Sequence, residues 1–352
     1  MNSSDIARIA GVSRSTVSRV INNYPNVPEE TKKRVLEVIK EYDYVPHASA
    51  RMLAGYKNRV IGLFIIDLVE REKCGIKNRI TKSPYYLEFT SSVIEAASEK
   101  GYKVLVNIIH NKSRYEEVKE CFYNKMISAG IFIGENNGDK VIKKIIKDGY
   151  KVALVDQDIK LYEDNNSKCV IVNSDNYNGA YEATKYLINL NHRKIAHIAG
   201  DKYKFSSIER IKGYKKALQD SNIPINNELI INSEFIEEGG YKAAKKLFSE
   251  NVKPTAIFAG NDKIAIGAMK AIKEMGLRVP EDVSIIGFDN IEECKYTFPS
   301  LSTMEIQLTK MAELATNTII DSIEKNTNIF SYYNIPVKLV ERSSCDNSNI
   351  NK

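Results

Sequence analysis

The sequence predicts a small all-α helix-turn-helix head followed by an α/β body of two doubly wound parallel-sheet lobes. Three observations carry this prediction. The opening run "DIARIAGVSRSTVSRVINN" twice spaces apolar residues at i, i+3 and i+4, on either side of a glycine. From Val60 onward, short β-rich runs alternate with amphipathic ones. With 352 residues, 43% of them hydrophobic, the chain can bury more than one core.

In the head, Ile6, Ile9 and Ala10 make one apolar stripe and Val17, Val20 and Ile21 another, so two short helices are expected. Gly11 between them can take the positive φ that closes the first. Ser13 can cap the second by accepting from the Ser15 or Thr16 amide. The outward face is then Arg14, Ser15, Ser18, Arg19 and Asn22. Short hydroxyls and a carboxamide suit base edges and phosphates, and Arg reaches guanine O6 and N7 bidentately. A third helix follows Pro28, with Thr31, Val35, Val38, Ile39 and Tyr42 along one side and Lys32, Lys33 and Arg34 near the other. An amphipathic helical pair that caps an enzyme, its charges merely solvated, fits the same spacing.

Charge is concentrated at this end. Residues 1–59 carry ten basic against six acidic side chains, which is four of the six net positive charges of the chain. A polyanionic partner is permitted by that excess. The five cysteines, Cys74, Cys121, Cys169, Cys294 and Cys345, form no C-x-x-C pair, so neither a zinc site nor a disulfide framework is indicated. No basic-then-apolar leader opens the sequence, and runs such as "VIGLFII" fall far short of the roughly 20 residues of a membrane span. A cytoplasmic protein with no membrane partner is expected.

The body reads "VIGLFII", "KVLVNII", "AGIFIG", "KVALVD" and "CVIVNS", then "KIAHIAG", "AIFAG" and "VSIIGF", the continuous apolar runs of parallel strands covered on both faces. Amphipathic stretches lie between them. Gly101 and Gly149, in "KGYKVLV" and "DGYKVALV", stand where a helix must end before the next strand. The strand count implies two lobes that split near Asp175, with a ligand cleft at the strand C-termini.

The string "NNYPNVPEETKKRVLEVIKEYDYVPHASARMLAG" and the spacing of Ala7, Gly11 and Val17 closely resemble the head of the lactose-repressor (LacI/GalR) family of bacterial transcription regulators. The likeness continues through "SDNYNGAYEATKYLINLNHRKIAHIAG", "ERIKGYKKAL", "AGNDKIAIGAMKAI", "LRVPEDVSIIGFDNI" and "VKLVERSS". The resemblance implies a body like the type I periplasmic binding proteins and three crossings between the lobes. It assigns 1–45 to the DNA-binding head and 46–59 to a hinge helix. The first lobe would be 60–175 with 303–333, the second 176–302 with 334–346, and 347–352 a tail. Carried over residue by residue, it makes Arg14, Ser15 and Arg19 readers of major-groove bases, with Ser13, Thr16, Ser18 and Asn22 as backbone or supporting contacts. Leu53 becomes a minor-groove wedge. Such a wedge costs a few kcal/mol of unstacking, recovered when two paired hinge helices bend the site together.

A polyhydroxylated ligand needs planar hydrogen-bonding partners and an apolar face to rest on. The resemblance places Arg210, Asn261 and Asp289 at effector contacts, Phe235 at the stacking aromatic, and Asp156 at the equivalent loop of the first lobe. It makes Tyr85 and Tyr86 the pair that closes over the ligand. Each has a plainer role open to it: Asn261 and Asp262 suit a helix cap, Asp289 an internal pair with Arg210, and Tyr85 and Phe235 ordinary packing. His47, His110, His192 and His197 show no metal-like or nucleophile-like spacing, and "GENNGD" lacks the GK[ST] ending of a phosphate loop, so no cofactor is expected.

One departure from the family is a charged insertion of about ten residues between Asp67 and Tyr85, spanning 69–82. As a surface loop it is merely solvated; folded over the ligand, its Arg and Lys side chains would select a sugar acid or a sugar phosphate. The expectation is a dimeric, sequence-specific regulator, read as a repressor, on a near-palindromic operator of double-stranded DNA, controlled by a sugar or sugar derivative. The tail "ERSSCDNSNINK" lacks heptad leucines, which favours a homodimer over a tetramer. A solute-binding protein would share the body without the basic head. A sugar-active enzyme would need a nucleophile, metal cluster or carboxylate pair, and no such spacing stands out.

Overall fold

The computed structural model describes residues 1–21, 24–44, 58–68, 83–163, 169–249 and 253–348. Asn22, Leu53, hinge residues 46–57, His47, Cys74 and the charged insertion at 69–82 lie outside the described residues. The chain divides into two compact units, Met1–Arg59 and Val60–Lys352.

The first unit is three helices, α1 (Ser3–Ile9), α2 (Arg14–Ile21) and α3 (Glu29–Glu41). Asn2 and Asp5 cap α1 reciprocally: the Ser4 and Asp5 amides donate to Asn2 Oδ1, and the Asn2 amide donates to Asp5 Oδ2 at 2.8 Å. Gly11, at φ +63°, ends that turn, and the Thr16 amide donates to Ser13 Oγ at 3.0 Å to start α2. The core gathers Ile6, Ala7, Ala10, Val17, Val20, Val27, Val35, Val38 and Tyr44. Two expected core residues move outward. Ile9 is 38% and Tyr42 44% exposed. Because α3 stops at Glu41 and Asp43 takes φ +44°, the chain folds back, the Tyr44 amide reaches the Ile39 carbonyl at 3.0 Å, and Tyr44 fills the place expected for Tyr42.

The second unit holds two six-stranded sheets. Strands β1 (Val60–Ile66), β2 (Lys103–Ile109), β3 (Ala129–Ile133), β4 (Val152–Val155) and β5 (Cys169–Ser174) belong to the first sheet. Their helices are α4 (Pro84–Glu99), α5 (Tyr115–Tyr123) and α6 (Lys140–Lys147). Strands β6 (Ile195–Ala199), β7 (Ile230–Asn232), β8 (Ala256–Ala259), β9 (Ser284–Asp289) and β10 (Ser302–Glu305) belong to the second. These come with α7 (Asn176–Asn189), α8 (Phe205–Asp220), α9 (Glu237–Ser249) and α10 (Asp262–Glu274). The chain then returns through α11 (Leu308–Glu324) to β11 (Ser331–Ile335), which pairs with β5, and crosses again to β12 (Lys338–Val340), antiparallel to β10.

Burial follows the sequence pattern: β3, β4 and β5 are buried along their whole length, as strands flanked by helices must be. Gly101 and Gly149 take φ +71° and +92° at the helix ends. Two boundaries shift. Strand β10 pairs with β9, so the return to the first lobe comes after Glu305 and not at 303, and β11 pairs with β5 through Ile335, so the first lobe runs past 333. In the first sheet the order β11-β5-β4-β3-β1-β2 reverses between β1 and β3; in the second, β12-β10-β9-β8-β6-β7 reverses between β6 and β8. Crevices open at such reversals, beyond the strand C-termini. Asp67, Glu135 and Asp156 follow β1, β3 and β4, while Asp201 and Asn261 follow β6 and β8 and Asp289 ends β9.

Candidate functional site

On α2, Val17 and Val20 face the core of the head, which leaves Arg14, Ser15, Ser18 and Arg19 exposed on the other side. Ser13 Oγ is the hub of the N-terminus: besides the Thr16 amide it meets Ser15 Oγ at 2.7 Å and Thr16 Oγ1 at 2.8 Å. Arg14 Nε donates to Ser3 Oγ on α1 at 3.1 Å, which sets the direction of its guanidinium. Arg14, Ser15, Ser18 and Arg19 thus share one polar surface, with Ser13 and Thr16 at its edge. Asn22 and Leu53 lie outside the described residues.

The body contains a cavity of about 500 Å³ at the strand C-termini, lined from both lobes. All seven residues expected around the effector line it: Tyr85, Tyr86 and Asp156 from the first lobe, Arg210, Phe235, Asn261 and Asp289 from the second. Pro84 opens α4, so Tyr85 and Tyr86 stand in its first turn, their rings edge-to-face at 5.5 Å. Arg210 occupies the buried stripe of α8 with Ser207, Gly213, Tyr214 and Ala217, a position that an apolar residue would otherwise fill. Each of its three guanidinium nitrogens has a partner there. Nε donates to Asn176 Oδ1 at 2.9 Å, Nη1 donates to the Gly260 carbonyl, and Nη2 stands 3.7 Å from Asp289 Oδ1, an ion-pair distance. The group lies 3.7 Å from the Phe288 ring centre and 5.9 Å from that of Phe235.

Burial dominates the electrostatics. Asp156 accepts from the Ser174 amide and the Asn176 amide group, each at 3.0 Å, yet desolvation raises its pKa to about 6 against the pull of Arg210. Asp289 is likewise held above the usual carboxylate range by burial, which outweighs Arg210. It sits at φ +114°, a backbone region costly by about 1–3 kcal/mol for a residue with a Cβ. Such strain persists only where the surroundings fix it. Phe235 lies so close over Gly200 that a Cβ there would come within 2.1 Å of the ring, so glycine at the end of β6 makes room for the aromatic wall.

Several plainer roles are also filled. Asn261 caps α10, its Oδ1 accepting from the Ile264 amide at 2.9 Å. Asp262 does not cap; fully buried, it accepts from Thr303 Oγ1 at 2.6 Å and from the Ile291 amide at 2.9 Å, tying the loop after β9 to β10. His197 stacks on Phe258 and Tyr214 inside the second lobe, and His192 bonds Thr255 and Ser284. The sequence reading missed Glu135 and Lys204, which also line the cavity. Glu135 belongs to the polar run "GENNGD", and its place one glycine beyond a buried apolar strand is the available clue.

A family model described as bacterial regulatory proteins, lacI family, matches residues 4–47, and one described as a periplasmic binding protein-like domain matches 184–345. The HTH-type transcriptional repressor PurR of Photorhabdus laumondii is 32% identical over 340 residues, covering 97% of this chain and 95% of its own. The chain belongs to the lacI family of bacterial regulators. PurR of Yersinia pestis is also 32% identical, over 341 residues, with the same shares covered. This lacI-family protein is therefore a DNA-binding transcriptional regulator, not an enzyme. Among solved structures it is similar to the lac repressor dimer bound to operator and the anti-inducer ONPF, with a TM-score of 0.79, 24% identity, and 98% and 99% of the two chains covered. A sugar-binding transcriptional regulator from Escherichia coli, complexed with phosphate, shares 26% identity at a TM-score of 0.68, covering 83% of this chain and 100% of that one.

Proposed function

We propose that this regulator represses transcription as a homodimer, holding a near-palindromic operator through the exposed face of α2, and that a sugar or sugar derivative bound between the lobes sets its operator affinity. The observation that carries the effector half is that Asp156, Arg210 and Asp289 line one cavity together with Tyr85, Tyr86 and Phe235, since a sugar ring needs planar charged partners and an aromatic platform together. The transcriptional regulator CelR, similar in fold, was solved with cellobiose. The operator half rests on Arg14, Ser15, Ser18 and Arg19 standing on one surface with Ser13 and Thr16 at its edge; Asn22 and Leu53 join this reading from the sequence alone.

Two heads per operator follow from groove geometry, because one recognition helix covers too few base pairs for genomic specificity. A cytoplasmic place goes with a chromosomal target, and no described helix is long and apolar enough to cross a membrane.

Selection from a random pool of DNA duplexes tests the operator half. Two inverted copies of one half-site should be enriched. Binding of two chains per duplex should weaken by roughly 10³-fold or more between 50 and 200 mM salt, as displacement of about six or more counterions requires. A pool that yields no shared sequence would remove the recognition face from the account.

A further inference from the structure

Glu135 stands two residues beyond β3 and lines the cavity, yet it is 2% exposed, and neither of its carboxylate oxygens has a hydrogen-bond partner among the described residues. The acids around it are provided for: Asp156 by Ser174 and Asn176, Asp289 by Arg210. The cations are committed too. Arg210 holds Asn176, Gly260 and Asp289, and Lys204, whose field favours the ionised form of Glu135, donates its ammonium to the Gly134 carbonyl. Among the described residues, nine acidic side chains and four basic ones line the cavity, a balance that favours a cationic ligand.

Building on the sugar reading above, we propose that Glu135 is a specificity residue that receives an ammonium group of the effector, which makes the ligand an amine-bearing polyhydroxylated molecule of the amino-sugar class. Burial pushes the Glu135 carboxyl up to about 8, so in the empty cavity it holds its proton at neutral pH, and an arriving ammonium supplies the charge that lets it ionise. A ligand hydroxyl can pair with the neutral carboxyl but gains no charge assistance. An ammonium supplies both charge and donors, in a bond about twice as strong as a neutral one. A sugar acid or phosphate ester would instead bring a negative charge into the acid-rich described lining.

Calorimetric titration of the full chain tests this with glucose, galactose and mannose, their 2-amino-2-deoxy forms, their uronic acids and their 6-phosphates. In the series that binds, the amine should be tightest, by at least about tenfold over its neutral parent. That preference should fall to near unity in Glu135→Gln. A neutral or anionic member that binds as tightly as the amine would overturn the proposal and leave the sugar reading standing, as would a preference that survives Glu135→Gln. Binding by no member would overturn both. The melting temperature of ligand-free Glu135→Gln should equal or exceed that of the parent; a lower one would mean that the carboxylate already has a partner within the protein, and would overturn the proposal as well.

Discussion

Arg210→Ala is expected to abolish the response to the effector while the protein still binds its operator. The side chain links three elements of the second lobe, reaching Asn176 at the start of α7, Gly260 after β8 and Asp289 at the end of β9. Removing it deletes the planar donor set and also leaves the Asp289 carboxyl buried without its cation. Breaking a buried pair from one side costs about 3–5 kcal/mol. The low end applies here, because Asp289 is already biased toward its protonated form and sheds its charge by taking up a proton once Arg210 is gone. Thermal unfolding should show that loss, and titration with an effector found by melting-temperature screening should show no binding. Asp289→Asn keeps the volume and a hydrogen-bonding group, so it should bind effector weakly with a smaller loss of stability. A full effector response in Arg210→Ala would take this residue out of the ligand site.

Arg19→Ala should weaken binding to the selected operator by roughly 5- to 150-fold, the value of about 1–3 kcal/mol for one bidentate arginine–guanine contact. The fold of the head should be untouched, since Arg19 is exposed and the helix is anchored by Val17 and Val20. A duplex of scrambled sequence separates the two kinds of contact. Base reading predicts that the loss falls mainly on the selected sequence and that its preference over the scrambled one narrows. Equal losses on both duplexes, by fluorescence anisotropy at one salt concentration, would make Arg19 a phosphate contact.

Much of the architecture is legible in the sequence. Gly11 and Ser13 announce a helix end and a helix start because one backbone angle and one hydroxyl suffice, and both are local. Buried strands such as "VIGLFII" and "AGIFIG" are equally plain, for they are apolar throughout. Strands β7, β10 and β11 were not legible: "IIN" and "STME" are only three and four residues long, and "SYYNI" lies at a sheet edge, where burial alternates and the apolar run is broken. The swap of Tyr44 for Tyr42 turns on where α3 stops, which depends on the fold-back at Asp43. Asp262 looked like a helix cap from its position after Asn261, but its role is fixed by Thr303 and Ile291, distant in sequence. Glu135 escaped for the same reason: that a carboxylate lacks a partner is visible only when its neighbours are known.

The account joins two separately folded parts, a polar helix face in the head and an aromatic-walled, acid-rich cavity in the body, in one regulatory device. An effector that favours one lobe arrangement must change operator affinity by the same free energy by which the operator changes effector affinity. Anisotropy titration of the selected duplex, with and without a saturating concentration of a screened effector, tests this coupling. The predicted result is a shift of roughly 5- to 150-fold in operator affinity, in either direction, matched by an equal shift in effector affinity on the duplex. Identical operator affinities in the presence and absence of an effector that demonstrably occupies the cavity would contradict the account.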